Sequence, residues 1–203
     1  MRRRTFHEAG ATLTLHDRGT HVELMIGDVP ILTSALLGTE RDFGRLAPRN
    51  AKRVVVGGLG FGSTAAGVLE RVGPTARVLV VEKLRTVIDL CREHGLALDD
   101  PRIEIVRADV ADVIAREKNL DAILLDVDNG PEWASFRKNA RLYDARGLAA
   151  AKRALRSGGK YAVWSGYPKD DFVLELRRAG FRSSVVSFRE RGKLQARAYV
   201  GTK

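Results

Sequence analysis

The sequence predicts an α/β protein built on a doubly wound, mostly parallel sheet of seven strands. From residue 53 onward, short apolar runs alternate with amphipathic helical segments, and serial βαβ units form parallel sheets with right-handed crossovers. The chain then closes with two strand patterns, 182–188 and 194–200, that flank the turn residues 190–193. This terminal hairpin predicts that one edge strand of the sheet is antiparallel.

The first fifty residues have a different pattern. Alternating apolar residues predict short strands, and turn residues such as Gly27-Asp28 separate them. The predicted elements are strands 12–15, 21–26 and 29–32, followed by a helix over 38–47. They form a hairpin or three-stranded meander that is too small for a core of its own. We therefore predict an extension over 1–50 and a main domain over 51–203.

The main domain orders its elements around one edge of the sheet. The predicted strands are 53–56, 77–82, 102–106, 121–125 and 160–164 before the terminal pair, and the later helices are 85–94, 110–117, 146–156 and 169–179. In open α/β sheets, ligands bind outside the carboxyl ends of the strands. The loops after the first four strands are therefore predicted to surround one crevice.

A glycine-rich loop follows the first of these strands, whose three valines indicate burial on both faces. Gly57, Gly58, Gly60 and Gly62 permit positive φ angles and allow the backbone to approach a ligand closely. Ser63 and Thr64 end the loop, and residues 65–70 then start a helix, whose N-terminus favours hydrogen-bond acceptors. The spacing is G-x-G-x-G rather than the dinucleotide pattern G-x-G-x-x-G. Similar turns also occur where a helix and a sheet merely pack closely.

An acidic residue about twenty positions further on strengthens the nucleotide interpretation. Glu82 ends the second strand and is placed to accept hydrogen bonds from both hydroxyls of a ribose, with Lys83 beside it. Asp109, followed by Val110, ends the third strand and either accepts an adenine amino hydrogen or caps the next helix. Together these residues predict an adenosine-containing cofactor.

Composition indicates a globular protein of ordinary hydrophobicity, with 203 residues, 44% hydrophobic and 30% charged. No apolar run approaches the ~20 residues of a membrane span, so we expect a cytoplasmic protein with no membrane partner. Cys91 is the one cysteine and the four histidines are not spaced as ligands, so no metal is predicted. The net charge of +10 is distributed along the sequence, and nucleic acid is therefore not expected as the principal substrate.

These motifs resemble the spermidine synthase family over roughly residues 11–200. The resemblance is carried by the glycine loop, Val81-Glu82, Asp100-Pro101-Arg102-Ile103, Ala108-Asp109, the strand 121–126 and Leu155-Arg156-Ser157-Gly158-Gly159. That family has the class I S-adenosylmethionine-dependent methyltransferase fold. The resemblance implies S-adenosylmethionine, or its decarboxylated form, as the cofactor, and it implies a homodimer.

The sequence differs from the family pattern at three places. The family's glycine loop typically carries an Asp that holds the amine of decarboxylated S-adenosylmethionine, whereas no acid lies between Val54 and Leu69. The family's Tyr-His-Glu is absent from the matching residues 39–43. The family's Asp-x-x-Asp-Pro after strand four reads Asp126-Val127-Asp128-Asn129-Gly130-Pro131. These differences favour methyl transfer over aminopropyl transfer.

Either reaction needs a nucleophile beside the sulfonium, and a nearby carboxylate serves as base or as hydrogen-bond acceptor. Asp126 and Asp128 are the candidates, although Asp128-Asn129-Gly130 is also a typical turn sequence. Tyr143 matches a family tyrosine and is grouped with the catalytic candidates. Asn129, Trp133 and Trp164 are predicted to contact the acceptor, although large aromatic residues at strand ends more often pack in the core.

Three functions follow from these patterns. The first is methyl transfer from S-adenosylmethionine to an amine or hydroxyl of a small molecule or peptide. The second is polyamine synthesis by aminopropyl transfer from decarboxylated S-adenosylmethionine. The third is a noncatalytic or nucleic-acid-binding member of the fold, which only the net charge supports.

Overall fold

Two sheets organise the computed structural model, which describes residues 2–35, 37–96, 98–127, 137–167, 169, 171–190 and 193–203. The N-terminal elements are β1 (Arg2–Glu8), β2 (Ala11–Asp17), β3 (Val22–Ile26), β4 (Val29–Thr33) and α1 (Gly38–Gly44). The next elements are β5 (Arg53–Gly57), α2 (Ser63–Leu69), β6 (Arg77–Glu82), α3 (Arg85–His94), β7 (Ile103–Arg107) and α4 (Val110–Arg116). The last are β8 (Leu120–Leu125), a 3-10 helix (Arg137–Leu142), α5 (Ala145–Ala154), β9 (Leu155–Ser165), α6 (Phe172–Arg178), β10 (Arg182–Glu190) and β11 (Lys193–Thr202). No helix in these ranges is long and apolar enough to cross a membrane.

The large sheet confirms the predicted fold class. Its seven strands follow the order β10-β11-β9-β8-β5-β6-β7, and the five strands from β5 to β9 are parallel to one another. Successive βαβ connections reverse direction beside β5, where the strand order switches between β5 and β8. A ligand crevice is expected outside the carboxyl ends of these strands.

One detail of the predicted sheet was wrong. The antiparallel strand is β11, which lies between β9 and β10 rather than at the edge. The reason is burial: Ala196, Ala198 and Tyr199 of β11 are buried, whereas Val185 of β10 is 41% exposed. The more apolar arm of the hairpin therefore takes the interior position, and the more polar arm covers the edge.

The N-terminal sheet has one strand more than the predicted meander. Strand β1 pairs along its whole length with β2, but the run Arg2-Arg3-Arg4 carries no apolar alternation that would have indicated a strand. Glu8, the last residue of β1, accepts hydrogen bonds from the N–H groups of Arg85 and Thr86, both at 2.8 Å. These are the first two residues of α3, so the N-terminal sheet supplies the cap for a helix of the main domain.

Helix α1 contacts α2 through glycine. A Cβ at Gly44 would overlap the backbone oxygen of Thr64, and a Cβ at Gly67 would overlap the backbone oxygen of Arg41. The two backbones therefore approach more closely than side chains would allow, and Arg41 and Arg45 both pair with Glu70 across the contact. This contact holds the N-terminal segment against the first helix after the glycine loop.

Candidate active site

A cavity of about 1000 Å³ lies at the carboxyl ends of the parallel strands. Its wall contains several of the predicted residues, namely Gly58, Gly60, Ser63, Thr64, Glu82, Lys83, Asp109, Val110, Asp126 and Trp164. The strand-end rule explains this convergence, because all of the preceding strands are parallel and end at the same edge. The opposite wall comes from β4 and α1, which contribute Leu32 and Glu40.

The glycine loop adopts a conformation that side chains would disturb. Gly58, Gly60 and Gly62 have φ angles of +89°, +51° and +88°, in the left-handed region that favours glycine. A Cβ at Gly58 would overlap the carbonyl oxygen of Asp126, and a Cβ at Gly57 would contact the side chains of Leu125 and Val110. Gly57 and Gly62 thus shape the loop, although neither lies on the cavity wall.

Two backbone N–H groups of the loop belong to cavity-lining residues and have no partner in the described part of the chain. The N–H of Gly58 is bonded to Val81 and the N–H of Gly62 to Leu59. Within the described residues, no hydrogen bond is found for the N–H groups of Gly60 and Phe61, both of which line the cavity. The backbone here therefore offers donors to an anionic or carbonyl group of a ligand.

Glu82 is held in place by the backbone of the neighbouring turns. One carboxylate oxygen accepts from the N–H groups of Lys83 (2.7 Å) and Leu84 (2.8 Å), and the other accepts from the N–H of Leu59 (3.1 Å). Burial raises the pKa of Glu82, the three N–H donors oppose that rise, and the nearby carboxylate of Glu8 adds to it. The carboxylate connects the glycine loop to the start of α3 and keeps acceptor capacity for ribose hydroxyls.

Asp109 forms the helix cap that was one of its two predicted roles. One oxygen accepts from the N–H of Ala111 at 3.0 Å, and the other pairs with Lys83 at 3.1 Å and with Arg141 at 2.8 Å. Burial alone would raise the pKa of Asp109, but the hydrogen bonds from Lys83, Ala111 and Arg141 outweigh it and hold the pKa below its usual value. Asp109 therefore lines the cavity as a carboxylate, and its contact with adenine stays a prediction.

Asp126 stands where β5, β8 and α2 meet. Its backbone N–H donates to the carbonyl of Gly57 at 2.8 Å, and its side chain accepts from the hydroxyl of Thr64 at 2.6 Å. Ser63, next to Thr64, donates to the carbonyl of Leu37 at 2.6 Å. The first turn of α2 thus fixes the Asp126 carboxylate on one side and the N-terminal segment on the other.

The predicted aromatic residues fall in different places. Trp164 lies on the cavity wall, and its buried indole nitrogen has no hydrogen-bond partner among the described residues. Tyr143 is only 5% exposed and packs edge to face against Phe172. Both residues belong to the hydrophobic cluster on the face of the sheet away from Trp164, and Tyr143 does not line the cavity. The positions of Asp128, Asn129 and Trp133 lie outside the described residues.

The cavity includes residues that the sequence reading did not assign to it. Leu32 of β4, Glu40 of α1 and Gln195 of β11 all line it. Their positions depend on how the N-terminal segment and the terminal hairpin pack against the main sheet. No local sequence motif predicts that packing. The described residues contain no cluster of three or more His, Cys, Asp or Glu side chains that could hold a metal ion.

Several solved structures are similar to this fold, among them two spermidine synthases and a methyltransferase-like protein. The spermidine synthase from Thermotoga maritima is similar with a TM-score of 0.72 and 20% identity, over 98% of this chain and 71% of that one. A spermidine synthase in complex with the transition-state analogue AdoDATO gives a TM-score of 0.76 and 19% identity, over 98% of this chain and 72% of that one. Human methyltransferase-like protein 13 in complex with SAH gives a TM-score of 0.58 and 21% identity, over 81% of this chain and 78% of that one.

No protein-family model and no curated protein matches the sequence. At these identities the similarity to solved structures shows the fold, which is that of spermidine synthases and class I S-adenosylmethionine-dependent methyltransferases. The fold is thus the one that the sequence motifs resembled. The reaction must be argued from the cavity itself.

Proposed function

We propose that the protein transfers the methyl group of S-adenosylmethionine to an amine or hydroxyl of a small molecule or peptide. The cavity offers a carboxylate for the ribose at Glu82, a second carboxylate at Asp109 and a glycine loop that a nucleoside can approach. These features lie in the order expected along an adenosine ligand on this fold. When bound, the cofactor supplies an electrophilic methyl group on a sulfonium.

The single observation that favours the intact cofactor is the chemistry of the glycine loop. Gly60 and Phe61 line the cavity, their N–H groups have no hydrogen-bond partner among the described residues, and no acid occurs between Val54 and Leu69. Such a wall suits the carboxylate of S-adenosylmethionine, since backbone donors stabilise an anion and a bare amine would find no counter-charge in the loop. The decarboxylated form lacks that carboxylate.

Asp126 is the proposed acceptor of the nucleophile's proton or hydrogen bond. The lone pair of the substrate's nucleophile forms the new bond to the methyl carbon, and the carbon–sulfur bond breaks with its electron pair going to sulfur. The methylated substrate loses one proton. Thr64 fixes one oxygen of Asp126, so the carboxylate has a defined direction before the acceptor enters. Glu40 lies on the acceptor side of the same cavity.

A second function, aminopropyl transfer, is supported by those same carboxylates. Asp126 and Glu40 together suit a cationic amine, which a polyamine substrate or a decarboxylated cofactor would carry. We therefore expect calorimetry to decide between the two, with intact and decarboxylated S-adenosylmethionine titrated side by side. Binding that is at least ~10-fold tighter for the intact form, about 1.4 kcal/mol, supports methyl transfer. Preference for the decarboxylated form supports aminopropyl transfer, and binding of neither contradicts both.

Substitution of Asp126 tests its chemical role. We expect Asp126→Asn to reduce turnover by roughly 100-fold or more, because general-base assistance contributes about that factor. The cofactor affinity should stay within a few-fold of the original, since Asn still accepts the Thr64 hydrogen bond. Asp112→Asn, an exposed substitution on α4, is the matched control. Turnover is measured as S-adenosylhomocysteine formed with the best compound from an acceptor screen, and unchanged turnover removes Asp126 from the mechanism.

A further inference from the structure

The edge of the large sheet opposite the cavity carries a concentration of positive charge, which we call the basic edge. It consists of residues at the amino ends of the strands and in the loops before them. They are Arg49, Lys52, Arg53, Arg77, Arg116, Lys118, Arg156 and Lys160. These residues are scattered along the sequence, and the parallel topology brings them to one edge, because parallel strands all begin at the same side.

The strand register places several of these cations next to one another. Arg53 of β5 is the direct partner of Arg77 of β6, and the N–H of Arg77 donates to the carbonyl of Lys52 at 2.8 Å. On the other side, Lys160 of β9 pairs with β8 and donates to the carbonyl of Leu46 at 3.3 Å, which holds it against the loop that carries Arg49. Three strand intervals of ~4.8 Å separate β6 from β9, so the row is about 15 Å long.

Two acidic residues within this row, Glu117 and Asp121, are already paired. Glu117 pairs with Arg53 at 2.7 Å, and Asp121 pairs with Arg156. The row ends at the start of β7, where Asp99 and Asp100 precede the strand. No ion pair is found within the described residues for the side chains of Arg49, Lys52, Arg77, Arg116 and Lys118, and of these Lys52, Arg77 and Lys118 carry the argument below.

Helix dipoles explain only part of this charge. A cation in the last turn of a helix stabilises the partial negative charge there, and Arg116 at the end of α4 fits that role. Lys52, Arg77 and Lys118 lie outside helices, in loops or at the first residue of a strand. Adjacent like charges without partners cost stability, so a ligand that neutralises them would stabilise the folded protein.

We propose that the basic edge binds the phosphate backbone of a double-stranded nucleic acid. A row of about 15 Å spans roughly four phosphates at 3.4 Å of axial rise per nucleotide on one strand. The large apolar side chains that are exposed in the described residues, Val29, Tyr167, Leu174, Val185 and Leu194, all lie outside this edge. Without aromatic residues to stack on unpaired bases or to anchor a protein partner, the surface suits a duplex backbone read without regard to sequence.

This surface is separate from the proposed methyl transfer. The cavity lies at the carboxyl ends of the strands and the basic edge at their amino ends, so a nucleic acid bound there would not be the acceptor. The net charge of +10, which looks dispersed along the sequence, becomes directional once the chain is folded. The proposed duplex is therefore a docking partner.

Fluorescence anisotropy with a labelled RNA duplex tests this proposal. The edge variant is Lys52→Gln/Arg77→Gln/Lys118→Gln, and the control variant is Arg2→Gln/Arg3→Gln/Lys193→Gln, which removes the same net charge at exposed positions elsewhere. We expect the original protein to bind with a Kd of roughly 10⁻⁴ to 10⁻⁶ M, and the edge variant to bind at least ~10-fold more weakly. Between about 50 and 200 mM salt, the logarithm of the binding constant falls linearly with the logarithm of the salt concentration. The slope for the edge variant should be shallower than that for the original protein by about 2 to 3.

Two results would overturn the proposal. No binding by the original protein at the lower salt concentration rules out a duplex site. Equal losses in the edge and control variants would mean that net charge alone drives binding. Chemical denaturation of all three proteins detects loss of folding. S-Adenosylmethionine affinity is measured separately and should not differ among them, so failure of the methyl-transfer proposal is distinguished from failure of the duplex site.

Discussion

Replacing Gly58 by alanine is expected to destabilise the protein by about 3 to 5 kcal/mol and to abolish cofactor binding. Two effects combine at this position. The φ angle of +89° is one that alanine adopts only at a cost, and the added Cβ would overlap the carbonyl oxygen of Asp126. Because this oxygen belongs to the backbone, it cannot rotate away. The glycine loop would have to move from the end of β8, and the cavity wall with it.

Two other glycines separate these effects. Gly19→Ala introduces the same kind of φ strain, at +83°, with nothing within 4 Å of the new Cβ, and should cost about 1 to 2 kcal/mol. Gly73→Ala meets neither a positive φ nor a neighbour and should be near neutral or slightly stabilising. Chemical denaturation measures all three variants. If Gly58→Ala is no more destabilising than Gly19→Ala, the close approach of the loop to β8 is wrong.

Replacing Glu82 by glutamine is expected to weaken S-adenosylmethionine binding by roughly 100-fold. Hydrogen bonds to a charged acceptor contribute about 1.5 to 3 kcal/mol, and a ribose would make up to two of them. The glutamine amide would also face the N–H of Leu59 or those of Lys83 and Leu84, where two donors would meet. Glu104→Gln, an exposed substitution on β7, is the matched control. Calorimetry measures both variants, and equal affinity in the two would exclude Glu82 from the cofactor site.

The same carboxylate should make cofactor binding depend on pH. Burial raises the pKa of Glu82 above its ordinary value, so the free protein loses this proton later than an exposed glutamate would. Ribose hydroxyls need the ionised form, and affinity should therefore rise as the pH rises through that raised pKa. The sign for stability is opposite: the folded state binds the proton more tightly, and this contribution to stability is lost as pH rises. In Glu82→Gln both slopes should be reduced.

Much of the fold could be predicted because its signals are local. The helix Arg85–His94 coincides with the prediction, since its apolar residues recur on one face and Gly95 follows it. Strand β1 was missed because Arg2-Arg3-Arg4 shows no apolar alternation, and its strand structure depends on pairing with β2. The position of β11 was likewise decided by tertiary burial, which favours the more apolar arm of the hairpin inside the sheet.

The residues of the candidate site likewise fall into those that local sequence signals predict and those that tertiary contacts decide. Glu82, Asp109 and Asp126 end parallel strands, so topology alone brings them to one edge. Tyr143 lies in a connecting segment after the fourth strand of the main domain. From the sequence, a residue in this segment could face either the cavity or the hydrophobic core on the other face of the sheet, and Tyr143 packs in that core. Glu40 reaches the cavity because Gly44 lets α1 lie directly against α2, a contact between two helices that end at Gly44 and begin at Ser63.

Glu8 caps α3 from outside the main domain, and this has a consequence for cooperativity. The hydrogen bonds to Arg85 and Thr86 start the helix that directly follows Glu82, and Arg107 of β7 holds the same carboxylate at 2.9 Å. Detaching β1 would therefore leave two helix N–H groups unsatisfied beside the ribose position. The predicted boundary near residue 50 divides the sequence, but the two parts share this partly buried cap. We therefore expect the two parts to unfold in a single transition, because the small sheet is stabilised by its contacts with the rest of the chain.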